Sequence, residues 1–366
     1  MKLKLDTSKE YAIALEGGGA KGAYEIGVWK ALEENGVKYC AVAGSSVGAL
    51  NGALMAMGDL EQAINLWENI TFSDVMNVDD AQMRKLYRGD FLEVEWKDFL
   101  KDCVDAVKEG GLDIAPLRKL LEEQVDGEKI HRSPVKLFLV TYSLTDKKEL
   151  DLDADTLDPE TLRNMLLASA YLPIFQRKRL EGKQFLDGGV QNLVPVDCLL
   201  KRGYRDIIVI RIYGIGFEKR VTIPEDANMI TVAPKEKLGG ILQFEPEQSK
   251  KDMQRGYFDG LKMLYGLAGE TYYIDRQWDE TQAYFAIKTL IEEKYGQKKP
   301  SLRELNEKIL PKLAKKLKVK EGGYYEILIA FLEDMAQQLG ISPFAVMTEE
   351  ELLQKIGQAA GENRDI

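Results

Sequence analysis

The spacing of apolar residues in the first sixty positions predicts two strand–turn–helix units. Residues 11–15 and 39–43 are continuous apolar runs, which are typical of strands buried on both faces. Each run leads into a segment of small residues and then into apolar positions at helical spacing, and the first of these helices ends near Gly36. Because strands joined by helices lie parallel, this order predicts a parallel sheet covered by helices on both faces.

The rest of the chain extends this pattern and then departs from it. We predict mostly helix over 60–121, a helix over 159–170, and strands at 136–143, 150–152, 184–186, 206–210 and 229–232. From about residue 278 the strand patterns disappear, and apolar spacing predicts helices over 302–317, 325–339 and 349–356. The predicted fold class is therefore α/β, three-layer α/β/α with a mainly parallel sheet, plus a helical C-terminal appendage. The expected domains are 8–275 and 276–366, and the role of the second is open.

Composition limits which binding partners and which cellular compartment we expect for this protein. The formal net charge of -10 leaves no excess of cations to replace phosphate counterions, so nucleic acid is not an expected partner. The three cysteines, Cys40, Cys103 and Cys198, form no spaced pair, which favours a reducing compartment over disulfides or zinc. No signal peptide and no run long enough to span a bilayer is expected. We expect a cytoplasmic protein that meets membranes at most peripherally and transiently.

A serine at the centre of a G-x-S-x-G sequence is the first candidate for chemistry. Ser46 lies between Gly44 and Gly48, directly after the second predicted strand and before a helix of small residues. In this context G-x-S-x-G is typical of a nucleophile elbow, a tight turn that exposes the serine hydroxyl. The alternative is a serine that only caps the helix N-terminus.

A glycine-rich turn after the first strand is the second candidate. Gly17, Gly18, Gly19, Lys21 and Gly22 lie between a strand and a helix and fit G-x-G-x-x-G, which is also the dinucleotide-binding fingerprint. That fingerprint needs an acidic residue at the end of the next strand, where this chain has the serine elbow instead. We therefore interpret the turn as an oxyanion hole made of backbone amides, with Lys21 adding positive charge. A turn that only packs a helix on the sheet is the alternative.

An aspartate at the end of a later strand is the third candidate. Asp187 follows the strand at 184–186 and precedes Gly188 and Gly189, which let the chain turn sharply. Such a carboxylate can reach a serine on a neighbouring strand. An ordinary Asp-Gly turn is the alternative.

Together the three motifs resemble the patatin-like phospholipases, a family with a glycine-rich oxyanion turn, a G-x-S-x-G elbow and an Asp-Gly-Gly or Asp-Gly-Ala motif. The segments 168–173 and 256–259 are also similar to family motifs, and the resemblance covers about residues 10 to 270. Two departures are small: Lys21 lies where arginine is frequent, and Gly189 where alanine is frequent. On this resemblance, 8–275 is a patatin-like catalytic domain.

The resemblance implies a Ser-Asp dyad and no metal or organic cofactor. Ser46 would attack the ester carbonyl of a lipid substrate, and Asp187 would take the serine proton. The single histidine, His131, is the rival base, but it precedes the acid along the chain, and we interpret it as a solvated loop residue. Two other functions stay open: a nucleotide-binding protein that uses the turn at 17–22, and a catalytically silent scaffold.

A lysine-rich segment near the C-terminus has two interpretations. Leucines and an isoleucine recur at helical spacing over 302–317, and six lysines between Lys308 and Lys320 lie along this segment and just after it. A basic amphipathic helix can lie on an anionic membrane. More often, such a helix packs its apolar face into the domain and leaves its lysines in water.

Overall fold

The computed structural model describes residues 1–88, 111–176, 178–319 and 322–362. The chain divides into two compact units, one formed by Asp6–Gly260 and the other by Met1–Leu5 with Leu261–Ile366. Residues 89–110, which include Cys103 and part of the predicted helical stretch, lie outside the described residues. The same is true of Lys320. The boundary that we predict after residue 275 stays a prediction.

The larger unit is built on one seven-stranded sheet. Its strands run in the order β4-β3-β2-β1-β6-β7, and β5 pairs with β3 away from this path. The pairs β1–β2, β2–β3, β1–β6 and β6–β7 are parallel, whereas β4 and β5 are antiparallel to β3. The strands are β1 (Glu10–Leu15), β2 (Lys38–Ser45), β3 (Lys136–Ser143), β4 (Lys148–Asp153), β5 (Phe185–Leu186), β6 (Asp206–Ile210) and β7 (Asn228–Val232).

Helices cover both faces of this sheet, as the continuous apolar strands require. On one face, small residues such as Ala14 and Ala43 form a core with the segment 193–200. On the other face, the α2 helix (Val47–Met57) brings Gly52 against Leu15 and Leu137. The sheet and its two layers confirm the predicted α/β fold class.

Two strands meet end to end along one edge of β3. Strand β2 pairs with β3 as far as Ser45 opposite Val140, and β5 pairs with β3 from the other direction, with Leu186 opposite Tyr142. Because both strands end at the middle of β3, the residues that follow them are brought together. These residues are Ser46 and Asp187.

Further helices enclose the sheet. They are α1 (Ala23–Glu34), α3 (Leu60–Asn69), α4 (Phe72–Val75), α5 (Asp80–Arg88), α6 (Ala115–Gln124), α7 (Gly127–His131), α8 (Pro159–Ser169), α9 (Val196–Lys201) and α10 (Pro246–Tyr265).

Helix α10 crosses α1 at unusually short range. A methyl group added at Gly27 would lie 1.9 Å from the Met253 carbonyl oxygen, and one added at Gly256 would lie 2.0 Å from that of Tyr24. The Tyr24 hydroxyl also donates to Asp259 at 2.7 Å. The glycines weaken the helix pattern of α10 in the sequence, and they allow the two backbones to touch.

The smaller unit has its own apolar core. Its main elements are α11 (Glu280–Tyr295), α14 (Tyr324–Gln338), α15 (Glu349–Glu362) and a two-stranded sheet of β8 (Tyr273–Ile274) with β9 (Val346–Met347). Between α11 and α14, a short helix α12 (Leu302–Glu304) continues through a π-helical turn (Leu305–Ile309) into α13 (Leu310–Lys316). Leu305, Leu310 and Leu313 pack into this core, so the apolar face of the lysine-rich helix is covered within its own unit.

Some elements differ from the sequence predictions. Strand β9 lies in the region where strand patterns disappear, because two residues are too few to show a period. Helix α7 includes His131, which we expected in a loop. No helix in the described ranges combines the length and the apolar character needed to cross a bilayer.

Candidate active site

Ser46 occupies a strained turn between β2 and α2. Its backbone angles are φ 53° and ψ -127°, outside the regions that a residue with a side chain normally adopts. Such strain costs of order 1–3 kcal/mol and persists where the surrounding structure enforces it. Ser46 stands at the N-cap of α2, yet its side chain makes no capping hydrogen bond. Its hydroxyl is therefore not used as the helix cap that the alternative interpretation requires.

The surroundings hold this turn in place. Gly44 lies so close to Gly48 that an added methyl group would fall 2.2 Å from the Gly48 carbonyl oxygen. The Ser46 amide donates to the Ser169 hydroxyl at 2.9 Å, and that hydroxyl donates to the Val140 carbonyl at 2.6 Å. Ser169, at the end of α8, thus ties the elbow to β3. The sequence gives no role to this residue, because its two partners are distant along the chain.

Asp187 is buried beside the elbow. Its side chain is 5% exposed, Oδ1 accepts from the Gly189 amide at 2.8 Å, and Oδ2 has no partner of ordinary hydrogen-bond geometry among the described residues. Burial raises the pKa of Asp187 from 3.8 to about 6, although the Ser46 hydroxyl and the Gly189 amide lower it part of the way. A carboxylate with a raised pKa is a better general base near neutral pH.

Gly188 brings the Asp187 turn against the end of β2. A methyl group added at Gly188 would lie 2.2 Å from the Val140 carbonyl oxygen and 2.7 Å from the Ser45 hydroxyl. Only glycine fits this contact. The requirement explains the first glycine of the Asp-Gly-Gly motif and favours a specific site over an ordinary turn.

The glycine-rich turn lies on the other side of Ser46. A methyl group added at Gly17 would lie 3.1 Å from the Ser46 Cβ. The Gly17 amide donates to the Leu193 carbonyl at 3.0 Å, and the Ala20 amide to the Ile241 carbonyl at 2.7 Å. The amides of Gly18 and Gly19 donate to no described residue, so they are the donors that remain for a ligand.

The other two residues of the predicted oxyanion hole, Lys21 and Gly22, make hydrogen bonds within the protein. The Lys21 ammonium donates to the Tyr213 carbonyl at 2.7 Å, and burial lowers the pKa of Lys21. The Gly22 carbonyl accepts from the Asn51 side chain at 3.0 Å. Lys21 thus holds the neighbouring loop, and a direct role for it in binding an oxyanion stays a prediction.

A buried glutamate that the sequence analysis missed shapes this region. Glu16 is fully buried at the end of β1 and accepts from the amides of Ile212, Tyr213 and Gly214 and from the Arg211 side chain. It fixes the loop after β6 against the glycine turn. The sequence does indicate Glu16 in one respect, because it is an ionisable residue directly after an apolar strand.

His131 lies apart from these groups. Its ring nitrogen Nε2 is 3.2 Å from the Ala154 carbonyl oxygen. Neither the contacts of Ser46 nor those of Asp187 include it. In the described ranges, no group of three or more histidine, cysteine, aspartate or glutamate side chains is arranged to hold a metal ion.

A predominantly apolar pocket opens at Ser46. Its volume is about 760 Å³, including space open to solvent, and Gly19, Ser46 and Ala170 are among the residues that line it. Leucines, valines and aromatic residues from α2, α3, α4 and α6 form most of the wall. Such a lining suits an apolar ligand group whose polar end lies at the serine.

The role of Ser169 in tying the elbow to β3 can be tested by measuring the stability of variants. We expect Ser169→Ala to lower the free energy of unfolding by about 1–3 kcal/mol, because it leaves buried backbone groups without partners. Ser249→Ala is the matched control: Ser249 is also buried, but its hydroxyl has no partner among the described residues, so its loss should be neutral or stabilising. Urea unfolding of both variants would measure this. Equal losses would contradict the assigned role.

Comparison with known proteins agrees with this geometry. The model of the family described as patatin-like phospholipase matches residues 13–200. The chain belongs to the patatin-like phospholipase family. The matched segment contains the glycine turn, the Ser46 elbow and the Asp187 motif.

Three relatives illustrate the range of this family. The chain is 34% identical over 196 residues to an uncharacterised NTE family protein of Mycobacterium tuberculosis, which covers 54% of this chain and 47% of the relative. It is 26% identical over 217 residues to patatin-like phospholipase domain-containing protein 6 of Mus musculus, and this alignment covers 56% of this chain and 14% of the relative. A shorter alignment, 48% identical over 48 residues, is with lysophospholipase nte1 of Aspergillus terreus. It covers 13% of this chain and 3% of the relative. The chain thus spans less than half the length of these relatives.

Proposed function

We propose that this protein hydrolyses acyl esters of lipids, with Ser46 as nucleophile and Asp187 as base. The observation that carries the proposal is the position of Ser46. It lies on a strained elbow, next to a buried carboxylate with a raised pKa, and it lines an apolar pocket. Family membership supports the same class of reaction.

In the proposed acylation step, Asp187 and Ser46 act together. Asp187 takes the proton of the Ser46 hydroxyl as the serine oxygen attacks the ester carbonyl. The negative charge on the carbonyl oxygen is stabilised by the amides of Gly18 and Gly19, and one such donor is worth roughly 3 kcal/mol. The protonated Asp187 then gives its proton to the leaving alcohol, and an acyl-serine remains.

In deacylation, water takes the place of the leaving alcohol and attacks the acyl-serine. Asp187, now ionised again, takes a proton from a water molecule that attacks the acyl-serine carbonyl. The same two amides stabilise the second oxyanion. Transfer of the proton to Ser46 releases the fatty acid and restores the enzyme. No step needs a metal or an organic cofactor.

The pocket favours substrates that place one acyl chain in the protein. Its wall is mostly apolar, and the few polar side chains include Asn51 and Gln124. Burial of each methylene of such a chain contributes about 0.8 kcal/mol. Phospholipids and lysophospholipids both offer such a chain, with the head group left outside, and the name of the Aspergillus terreus relative points to the second.

The substrate class can be tested directly. We expect hydrolysis of medium-chain nitrophenyl esters, and release of fatty acid from phospholipid or lysophospholipid vesicles and micelles. Product should be measured by absorbance for the esters and by mass spectrometry for the lipids. A purified, folded protein that binds a nicotinamide or flavin dinucleotide tightly and cleaves none of these esters would support nucleotide binding instead.

A further inference from the structure

The apolar pocket has a defined length as well as a defined lining. From α2 it receives Val47, Leu50, Asn51 and Leu54, which lie on one face of the helix and lead away from Ser46. Over the seven residues from Val47 to Leu54 the helix rises about 10 Å. The floor of the pocket therefore extends about that far from the nucleophile.

Helix α6 forms a second wall that runs in the same direction. It begins beside the segment that follows Ser169, because Leu112, just before the helix, exchanges backbone hydrogen bonds with Ile174 and Gln176. Ser169 itself accepts a hydrogen bond from the Ser46 amide, so this end of α6 lies on the side of the nucleophile. The helix ends near the C-terminus of α2, where the Asp126 amide lies 3.3 Å from the Met57 sulfur. The pocket is thus a channel between two helices that point away from Ser46.

A polar pair lies where α6 ends. The Gln62 side chain donates to the Gln124 side-chain oxygen at 2.9 Å and to its backbone carbonyl at 3.2 Å. Gln124 and Val125 line the apolar pocket, and they also line a separate polar depression that includes Glu123 and Lys129. An alkyl chain that pushed past this pair would have to separate hydrogen-bonded amides without replacing their bonds, which is unfavourable.

We propose that this channel sets the acyl-chain length, taking a straight chain of about eight to ten carbons, with Leu54 and the Gln62–Gln124 pair as the length-determining residues. The proposal rests on the proposed function for its enzymatic readout. Ordinary carbon–carbon bonds and angles advance an extended chain by about 1.25 Å per carbon, so about 10 Å holds roughly eight carbons. Further carbons gain no apolar contact in this channel.

Two substitutions should move the limit in opposite directions. With nitrophenyl esters of 4 to 16 carbons, kcat/KM of the wild type should rise steeply up to eight to ten carbons and then level off. Leu54→Phe fills the channel and should lower the ratio of the ten-carbon to the four-carbon rate at least tenfold, since each lost methylene contact is worth roughly fourfold. Gln124→Ala opens the end and should raise the ratio of the fourteen-carbon to the ten-carbon rate by a similar factor.

Gln297→Ala is the control for the glutamine substitution, because Gln297 is exposed in the other unit. Its profile should match that of the wild type. Thermal melting of each variant shows whether it is folded. An active, folded enzyme whose chain-length profile is the same in all variants overturns the proposal and leaves the hydrolase function intact.

A binding measurement separates the channel from the chemistry. Fatty acids of 6 to 16 carbons should be titrated into the Ser46→Ala variant by calorimetry. The affinity should rise roughly fourfold per methylene up to eight to ten carbons and then stay constant. This break in the series supports the channel even if no ester is cleaved. An affinity that rises steadily to sixteen carbons, or no binding at any length, overturns it.

Discussion

Ser46→Ala should abolish ester hydrolysis and fluorophosphonate labelling while the protein stays folded. Ser46 is the proposed nucleophile, and loss of the nucleophile in a serine hydrolase lowers kcat by roughly a millionfold. Folding should survive, because the Ser46 side chain makes no capping hydrogen bond. Hydrolysis of a nitrophenyl ester, mass mapping of the labelled peptide and a thermal melt measure the three quantities.

The neighbouring serine provides the matched control. Ser45 lies at the end of β2, fully buried, and its hydroxyl has no partner among the described residues. Ser45→Ala should therefore keep the label on Ser46. A label that maps to another serine, or a Ser46→Ala enzyme that keeps its activity, would refute the assignment of the nucleophile.

Asp187→Asn should lower kcat by a factor of roughly 10²–10⁴, the usual contribution of a general base. The amide can still accept the Gly189 hydrogen bond, but it cannot take the serine proton. His131→Ala should stay within a few-fold of the wild type, because its ring lies against the Ala154 carbonyl. In the wild type, kcat should rise with pH through about 6, where Asp187 ionises, and level off above it. A folded His131→Ala enzyme without activity, beside an active Asp187→Asn enzyme, would overturn the dyad.

The same substitution should stabilise the protein above pH 6. The pKa of Asp187 is about 6 in the folded state and near 3.8 in the unfolded state, so ionisation of the folded carboxyl opposes folding. This penalty is absent below about pH 4, grows between 4 and 6, and reaches about 3 kcal/mol above that range. Asp187→Asn removes it. Urea unfolding at pH 4 and pH 8 should show a gain only at pH 8.

A second buried aspartate, Asp197, serves as the control, because its replacement should change the free energy of unfolding in the opposite direction. Although burial opposes ionisation of Asp197, hydrogen bonds from Lys201 and Lys219 lower its pKa to about 2. Its ionised form therefore stabilises the fold above pH 4, and this contribution is lost as the pH falls toward 2. Asp197→Asn should cost about 1–2 kcal/mol at pH 8, after allowance for solvent screening. The same sign of change in both variants would contradict the environments described for the two carboxyls.

The sequence predicts the parts of the site that depend on local order along the chain. The apolar runs of β1 and β2, the elbow at Ser46 and the turn after Asp187 each combine a strand with the residues that must follow it. For this reason the fold class and the three motifs could be derived before the structure. Family membership confirms the resemblance, whereas the roles of the individual site residues stay predictions.

The remaining features depend on contacts between distant segments. The role of Ser169 follows from its bonds to the Ser46 amide and to Val140, and that of Glu16 from the loop that it holds. Helix α10 has glycines where a helix pattern needs stronger helix formers, and close packing on α1 compensates for them. Each of these contacts joins residues that lie far apart along the chain.

The end-to-end meeting of β2 and β5 on β3 has a consequence for biosynthesis. Ser46 and the Ser169 that anchors it are 123 positions apart, and Asp187 comes later still. Contacts between such distant segments form slowly during folding, because closing a long loop costs chain entropy. A nascent chain that has emerged only as far as the elbow therefore carries Ser46 without the proposed base. We expect ribosome-bound chains that lack residue 187 to be inert toward lipids, so the activity arises only after this part of the sheet is complete.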